Sequence, residues 1–441
     1  MSSVADSPAT GARRPRLAIV GSGIAGLVCA HRLKTRYDLT LFEATTRPGG
    51  HTHTVDVERD GERFAIDTGF IVFNPVNYPL FTALLDELNV PSQPTTMSFS
   101  VRCDRTGLEY NGTSLNRLFA QRRNVLRPRF LGMVRDILRF ARDARVTLAA
   151  GDEDETVDAF VRRHGYGVAF VEHYLVPLGA SLWSAPGPSF RRFPIRFVAR
   201  FLENHRMLDV GGRPQWRTVT GGSRRYVDAI VNGLGERVRL GTPVRHARRR
   251  ADRVELETGD GDRGSFDHVI FACHADQARA ILTDVTDTER TLLSAFPYQR
   301  NVAVLHDDPS ALPRCRRAWA AWNHRVRETP HADVSVTYNM TILQRLPTRR
   351  AFCVTLNDEA GLDPDRVLGR WVYHHPIFAA GVEAAQRRHA EVIDVNRTSF
   401  CGAYWGAGFH EDGVRSAMAV CAKLTATPRA CPVAVAAGAA S

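Results

Sequence analysis

The sequence predicts an α/β protein: a doubly wound, Rossmann-like nucleotide-binding domain with a discontinuous substrate domain of mixed sheet and helices. Three observations predict it. Arg16–Val20 reads as an apolar strand, Gly21–Gly26 as a glycine turn, Ile24–Leu33 as a helix and Leu39–Glu43 as a second strand, together the size of one βαβ unit of about 30 residues. Far downstream, Val238–Leu240, Val244–Arg248, Val254–Thr258 and His268–Ala272 form strands separated by charged turns. A last unit, a strand near Ser399–Tyr404, a glycine loop and a helix from about Val414 to Leu424, returns to the same architecture.

The 441 residues suffice for two domains, and 44% apolar, 24% charged and 9% aromatic content excludes a largely disordered or fibrous chain. The net charge of +11 is carried almost wholly by arginine, since Lys34 and Lys423 are the only lysines. Eight scattered cysteines without a Cys-x-x-Cys pair argue against zinc ribbons and disulfide frameworks and suit a reducing cytoplasm. The apolar run Leu17–Ala30 is interrupted by Gly21, Gly23 and Gly26 and falls short of the roughly 20 residues a membrane span needs.

In chain order, residues 1–14 read as a disordered leader and Tyr78–Leu88 as a helix ended by Asn89 and Pro91. Strands such as Ser98–Arg102 fill 92–115. Asn116–Ala150 reads as basic helix, and the acidic Gly151–Glu155 opens the next one. Prolines and glycines across 185–215 mark loops. Gly221-Gly222-Ser223 opens a helix through Gly233, and Asn301–Leu305, Val334–Tyr338 and Phe352–Leu356 read as strands. This organisation assigns 15–75, 215–290 and 395–425 to the nucleotide domain, 76–214 and 291–394 to the substrate domain, and 426–441 to a tail.

The chemistry is densest at Gly21-Ser22-Gly23-Ile24-Ala25-Gly26, a G-x-G-x-x-G between strand and helix. Gly21 makes the tight turn, Gly23 lets backbone approach a pyrophosphate, and Gly26 lets helix pack on strand. The phosphates would lie over the helix N-terminus, where free N–H groups and the dipole favour anions. Glu43 ends the second strand and can accept ribose hydroxyls; its charge disfavours the 2′-phosphate of NADP.

The chain continues Glu43-Ala44-Thr-Thr-Arg47-Pro-Gly49-Gly50-His51, then Asp67-Thr68-Gly69-Phe70. This arrangement resembles the flavin-containing amine oxidoreductase superfamily, in which a second glycine loop adds contacts to FAD. The resemblance extends through Gly221-Gly222-Ser223, Thr242-Pro243-Val244, His268–Ala272 and Phe400–Gly413. It implies that Arg47 faces the diphosphate, that Val244 lies along the adenine, and that Asp412, Gly413 and Val414 open a late helix toward the isoalloxazine, whose reduced form the helix dipole would favour. Within that superfamily, Gly50–Thr54, Pro214–Thr218, Trp371–Pro376 and Gly408–Gly413 resemble bacterial FAD-binding oxidoreductases related to the flavoprotein domain of plant cyclopropane fatty-acid synthases. That narrower resemblance implies a lipid acyl chain as substrate.

Neither lysine is placed to serve, through water, near flavin N5 as many amine oxidases require, so amine oxidation drops in rank. His51 stands where the family often has a second arginine. No cysteine sits where a covalent flavin link would form, so noncovalent FAD is expected. Hydride transfer needs little beyond holding a C–H about 3–3.5 Å from its acceptor and excluding water. Tyr404 and Trp405 are the nearest candidate walls, with core packing as the competing reading. His374 or His375 is a candidate general base, with a merely packed histidine as the alternative. His51-x-His53 lacks a third ligand, so no metal site is expected.

Residues 116–150 carry nine arginines and two aspartates. Phe130, Val134, Ile137 and Ala141 share one helical face, with Arg135, Arg139 and Arg142 opposite. That basic face is either simply solvated or a peripheral contact with an anionic membrane; no nucleic-acid motif accompanies it. The expected function is an FAD-dependent oxidoreductase desaturating or reducing an apolar substrate. An amine oxidase, or a flavin-binding accessory protein for a lipid-modifying partner enzyme, is the alternative. The expected location is the cytoplasm or the inner membrane face.

Overall fold

A computed structural model describes residues 13–150, 155–209, 211–328 and 335–426. The leader through residue 12, the acidic residues 151–154, the expected strand start at Val334 and the tail from residue 427 lie outside the described residues.

β1 (Arg16–Val20) has four of its five residues buried, because helices cover both faces of a parallel sheet. α1 (Ile24–Leu33) follows, buried along most of its length, and leads into β2 (Asp38–Phe42). These sit inside a six-stranded sheet ordered Ile393–Val395, Thr398–Phe400, His268–Phe271, β1, β2, Val238–Arg239. β1 pairs in parallel with both neighbours, Ala18 opposite Thr40 on one side and Val269 on the other. Strands from residues more than 200 apart therefore flank one glycine turn.

A seven-stranded, mainly antiparallel sheet runs Val367–Pro376, Tyr298–His306, Cys353–Leu356, Val336–Asn339, Trp322–Val326, Phe99–Cys103, Leu108–Asn111. Its one parallel pair joins Trp322–Val326 to Phe99–Cys103. The helices used below are α2 (Pro79–Glu87), α3 (Pro128–Ala150), α4 (Ile195–Asn204) and α5 (His410–Ala426).

Two expectations need correction. The basic stretch is not one helix: a short turn Leu115–Leu118 and a 3₁₀ segment Arg122–Leu126 precede α3, which begins at Pro128. Proline suits the first helical position and keeps the residue before it out of helical geometry. α3 is also rotated from the expected face: Phe130, Met133, Phe140 and Ala144 are buried, while Val134, Ile137 and Ala141 only flank the core. Arg139 is not on the solvated side. Its guanidinium lies 4.1 Å over the Tyr166 ring and donates to the His164 carbonyl at 3.0 Å.

The late helix starts at His410, a full turn before Gly413. Asp412 explains why: its carboxylate accepts the Phe409 N–H at 3.0 Å and pairs with Arg415 at 2.8 Å, stabilising the first turn. Gly413 is thus inside the helix, where a Cβ would stand 2.7 Å from Ile24 Cγ2. The glycine there serves contact between α5 and α1.

Candidate cofactor and active site

The glycine turn is built from contacts a side chain would forbid. Gly21 has φ +104° and donates to the Phe42 carbonyl at 2.8 Å. A Cβ on Gly26 would lie 1.9 Å from the Gly21 oxygen, so helix and turn touch through backbone. At Gly23 nothing lies within 4 Å of where a Cβ would be, and no side chain caps α1 there. An open backbone surface therefore meets an uncapped helix N-terminus, the arrangement an anionic diphosphate fits. Ile24 and Ala25, also expected here, are buried beneath it.

Glu43 accepts from Ser22 N–H (3.0 Å) and Oγ (2.5 Å) and from Thr45 N–H and Oγ1 (2.9 Å each). Both carboxylate oxygens already take two donors, so a ribose hydroxyl would replace one of the side-chain hydroxyls. Its neighbours are the exposed Ala44 and the segment leading to Val244, since Thr242 N–H donates to the Glu43 carbonyl at 2.8 Å.

The second glycine loop lies directly on the first. Gly49 N–H donates to the Ser22 carbonyl at 3.0 Å, and a Cβ on Gly50 would come 3.0 Å from Gly23 Cα. Arg47 holds this loop together: its guanidinium donates to the carbonyls of Pro48, Gly50 and Thr52 at 3.2, 2.8 and 2.7 Å. The sequence placed that arginine at the diphosphate; here its hydrogen bonds shape the loop. Gly69 packs so closely under His51 that a Cβ would meet the His51 oxygen at 2.0 Å, and Thr68 Oγ1 bonds Tyr373 OH at 2.9 Å.

His51 gathers residues the sequence could not place together. Its ring lies 5.2 Å from both Tyr373 and His375 and 6.0 Å from His274, and its Nε2 is buried without a protein partner. His274 stacks on Tyr298 at 4.3 Å, with His374 at 6.3 Å. The antiparallel register of Tyr298–His306 against Val367–Pro376, with Gln299 opposite His375 and Arg300 opposite His374, brings Tyr298, His374 and His375 to one end of this strand pair. Burial drives the His51 imidazole down to about 3, with His274 adding to the effect, and takes His375 to about 3 and His274 to about 4. These rings are neutral at physiological pH.

Behind this lies a second network missed in the sequence. Thr52 Oγ1 and Tyr226 OH meet at 2.5 Å, and His410 Nε2 bonds both, at 3.0 and 2.9 Å. The His410 ring stacks on Phe70 at 3.5 Å. Glu411, buried, accepts the N–H groups of Leu80 and Phe81 at 3.0 Å and so caps α2. Asp67 accepts from Ser223 and Thr54, and burial raises it to about 6. The one readable signal was a cluster of polar residues beside glycines.

Tyr404 and Trp405 are buried. Trp405 stacks on His389 at 4.1 Å, and Tyr404 and Trp405 both pack on Phe296, as the core-packing reading describes. The following loop rests on aromatic rings instead. Phe409 stacks on Phe201 and Phe378 on Phe197, each at 4.8 Å, and Trp183 Nε1 donates to the Ala407 carbonyl at 3.3 Å. Val414 is buried against α1. Among the described residues no three His, Cys, Asp or Glu side chains form a metal site, and no helix is long and apolar enough to cross a membrane. A groove of about 690 Å³ lies elsewhere, at the edge of the seven-stranded sheet, lined by Arg102, Arg325 and Arg327 with Asp104 and Asp358 as their ion-pair partners.

Comparison with known proteins gives the same architecture. Cyclohexylamine oxidase from Brevibacterium oxydans superposes with a TM-score of 0.68 at 15% identity, covering 93% of this chain and 100% of that one. Putrescine oxidase bound to putrescine gives 0.66 at 16%, covering 94% and 99%. The fatty acid isomerase of P. acnes that produces CLA gives 0.63 at 14%, covering 93% and 98%. The family model for flavin containing amine oxidoreductase matches residues 24–306, well over half of the sequence. With its two glycine loops in contact at an uncapped helix, the chain belongs to the flavin-containing amine oxidoreductases, as an FAD-dependent oxidoreductase.

Proposed function

We propose that the enzyme moves hydride between FAD and an apolar substrate, a lipid acyl chain, by desaturation or reduction. One observation carries this reading: the rings packed about His51 are Tyr373, His375 and His274, none a carboxylate, and the late loop rests on phenylalanines. An ammonium substrate would find no carboxylate among these rings; the acids that act on the cluster, Asp67 on Tyr373 and Asp276 on Tyr298, do not act on His51 itself. Lys34 caps the end of α1 and Lys423 lies in the last turn of α5, so neither serves this site.

In this reading 15–75, 215–290 and 395–425 hold the cofactor, and 76–214 and 291–394 shape the substrate space. The N–H groups at the start of α1 receive the diphosphate, Glu43 takes the ribose, and the His51 Nε2 faces the bound group. FAD supplies the hydride acceptor or donor. His374 is the candidate proton carrier on the substrate side. FAD is held noncovalently: burial pushes the half-buried Cys273 thiol up to about 12, leaving little thiolate for a link.

The likeness to putrescine and cyclohexylamine oxidases supports a second reading, amine oxidation. Anaerobic mixing separates the two. Bleaching of the flavin by phospholipids with unsaturated or methyl-branched acyl chains is expected; bleaching by putrescine or monoamines, with lipids inert, would overturn the lipid reading.

A further inference from the structure

Half of the twelve large apolar side chains exposed among the described residues fall between Leu115 and Val146. Leu126 is 85% exposed and Leu115 76%, and Val125 lies beside them. On α3, Leu131, Arg135, Leu138, Arg142 and Val146 recur at i, i+4, i+7, i+11 and i+15, all exposed, opposite the buried Phe130, Met133 and Phe140. So α3 has two apolar stripes, one in the core and one facing outward among arginines.

The charge on this outer face is of one sign. From Leu115 to Ala149 the exposed charged residues are Arg117, Arg122, Arg123, Arg129, Arg135 and Arg142. The two aspartates of the stretch, Asp136 and Asp143, are buried and pair with Arg135 at 3.6 Å and Arg142 at 3.0 Å, whose side chains stay 78% and 74% exposed, and Arg145 is turned toward Glu203 and Asp209. Leucines projecting from an arginine field suit the boundary of an anionic bilayer, where the side chains enter the acyl region and the guanidinium groups meet lipid phosphates. A second copy of the chain is a poorer occupant, since a two-fold contact along this stripe would set Arg135 and Arg142 against their own kind.

We propose that the outer face of α3, with Leu115 and the Val125–Leu126 turn, docks the enzyme on an anionic phospholipid surface. The inference goes beyond the proposed reaction and does not depend on lipid being the substrate.

The test uses the full-length, FAD-loaded protein and sedimentation with vesicles of phosphatidylcholine alone or mixed with phosphatidylglycerol. Retention on the mixed vesicles at low salt, release at high salt and little binding to the neutral ones are expected. Leu126→Ser with Leu138→Ser alters exposed positions only and should weaken retention at least tenfold with unchanged thermal unfolding; Arg135→Gln with Arg142→Gln should weaken retention at low salt and make it less sensitive to added salt. Equal binding to both vesicle types, no binding, unchanged binding by the leucine variant, or a dimer that the leucine variant dissolves would each overturn the proposal. Flavin bleaching by detergent-dispersed lipid reports on the reaction alone, so the two readings fail independently.

Discussion

Gly23 and Gly26 are three residues apart in the same turn, yet the structure assigns them separable duties. A methyl group on Gly26 would stand 1.9 Å from the Gly21 carbonyl oxygen, and since the obstacle is backbone, α1 must lift from β1 to admit it. Overpacking of this kind costs about 1–3 kcal/mol, and a backbone obstacle places Gly26→Ala near the upper end. A methyl group on Gly23 meets nothing within 4 Å, and φ −65°, ψ 177° is ordinary extended backbone for alanine. Gly23→Ala should therefore leave the apoprotein within about 1 kcal/mol of the parent, on the stabilising side. In the proposed cofactor site the same methyl would intrude where the diphosphate approaches, and a clash of about 1–3 kcal/mol should weaken FAD about 5- to 150-fold. Denaturant unfolding of the two apoproteins, with FAD titration followed by flavin fluorescence, measures both quantities. A Gly23→Ala protein that binds FAD like the parent, or that is as destabilised as Gly26→Ala, would refute the reasoning.

The remaining predictions concern the groups around that turn. Glu411→Ala strips two N–H groups at the start of α2 of a buried acceptor and should cost about 2–4 kcal/mol by denaturant unfolding; a change below 1 kcal/mol would remove its capping role. Gly413→Ala presses a methyl group on Ile24 and should cost about 1–3 kcal/mol, relieved by Ile24→Ala in a double-mutant cycle. Folding depresses His51, His274 and His375, so their contribution is intact above pH 6.5 and is lost as pH falls toward their folded values. At pH 5 each forfeits about 2 kcal/mol, against which the raised Asp67, destabilising once ionised, returns about 1 kcal/mol. His375→Gln should make the acid limb of a stability–pH curve shallower by about 2 kcal/mol at pH 5, and an unchanged limb would contradict its neutral burial.

What the sequence disclosed was local, and what it hid depended on long-range register. Arg16–Val20 and Ile24–Leu33 were read at their observed limits, because a parallel strand buried on both faces and a glycine turn leave few alternatives. The start of α5 was misplaced because Gly406, Gly408 and Gly413 looked like one loop. Only the fold shows Asp412 bonding back to Phe409, and Gly413 admitting α1. Arg47 was expected to face the diphosphate, while its bonds to three carbonyls of its own loop depend on the path of that loop. The cluster of His51, His274 and His375 spans more than 300 residues of sequence and has no local pattern. The second apolar stripe of α3 was hidden because Leu131 adjoins the buried Phe130 and Leu138 the half-buried Ile137 in sequence.

In the function proposed above, the first turn of α1 and the carboxylate of Glu43 hold FAD. The most direct measurement is the identity and amount of the chromophore released by acid precipitation from the purified protein. One FAD per chain, freed without a covalent remnant, is the predicted result. A colourless protein that FAD cannot reconstitute, or one that releases only FMN, would contradict it.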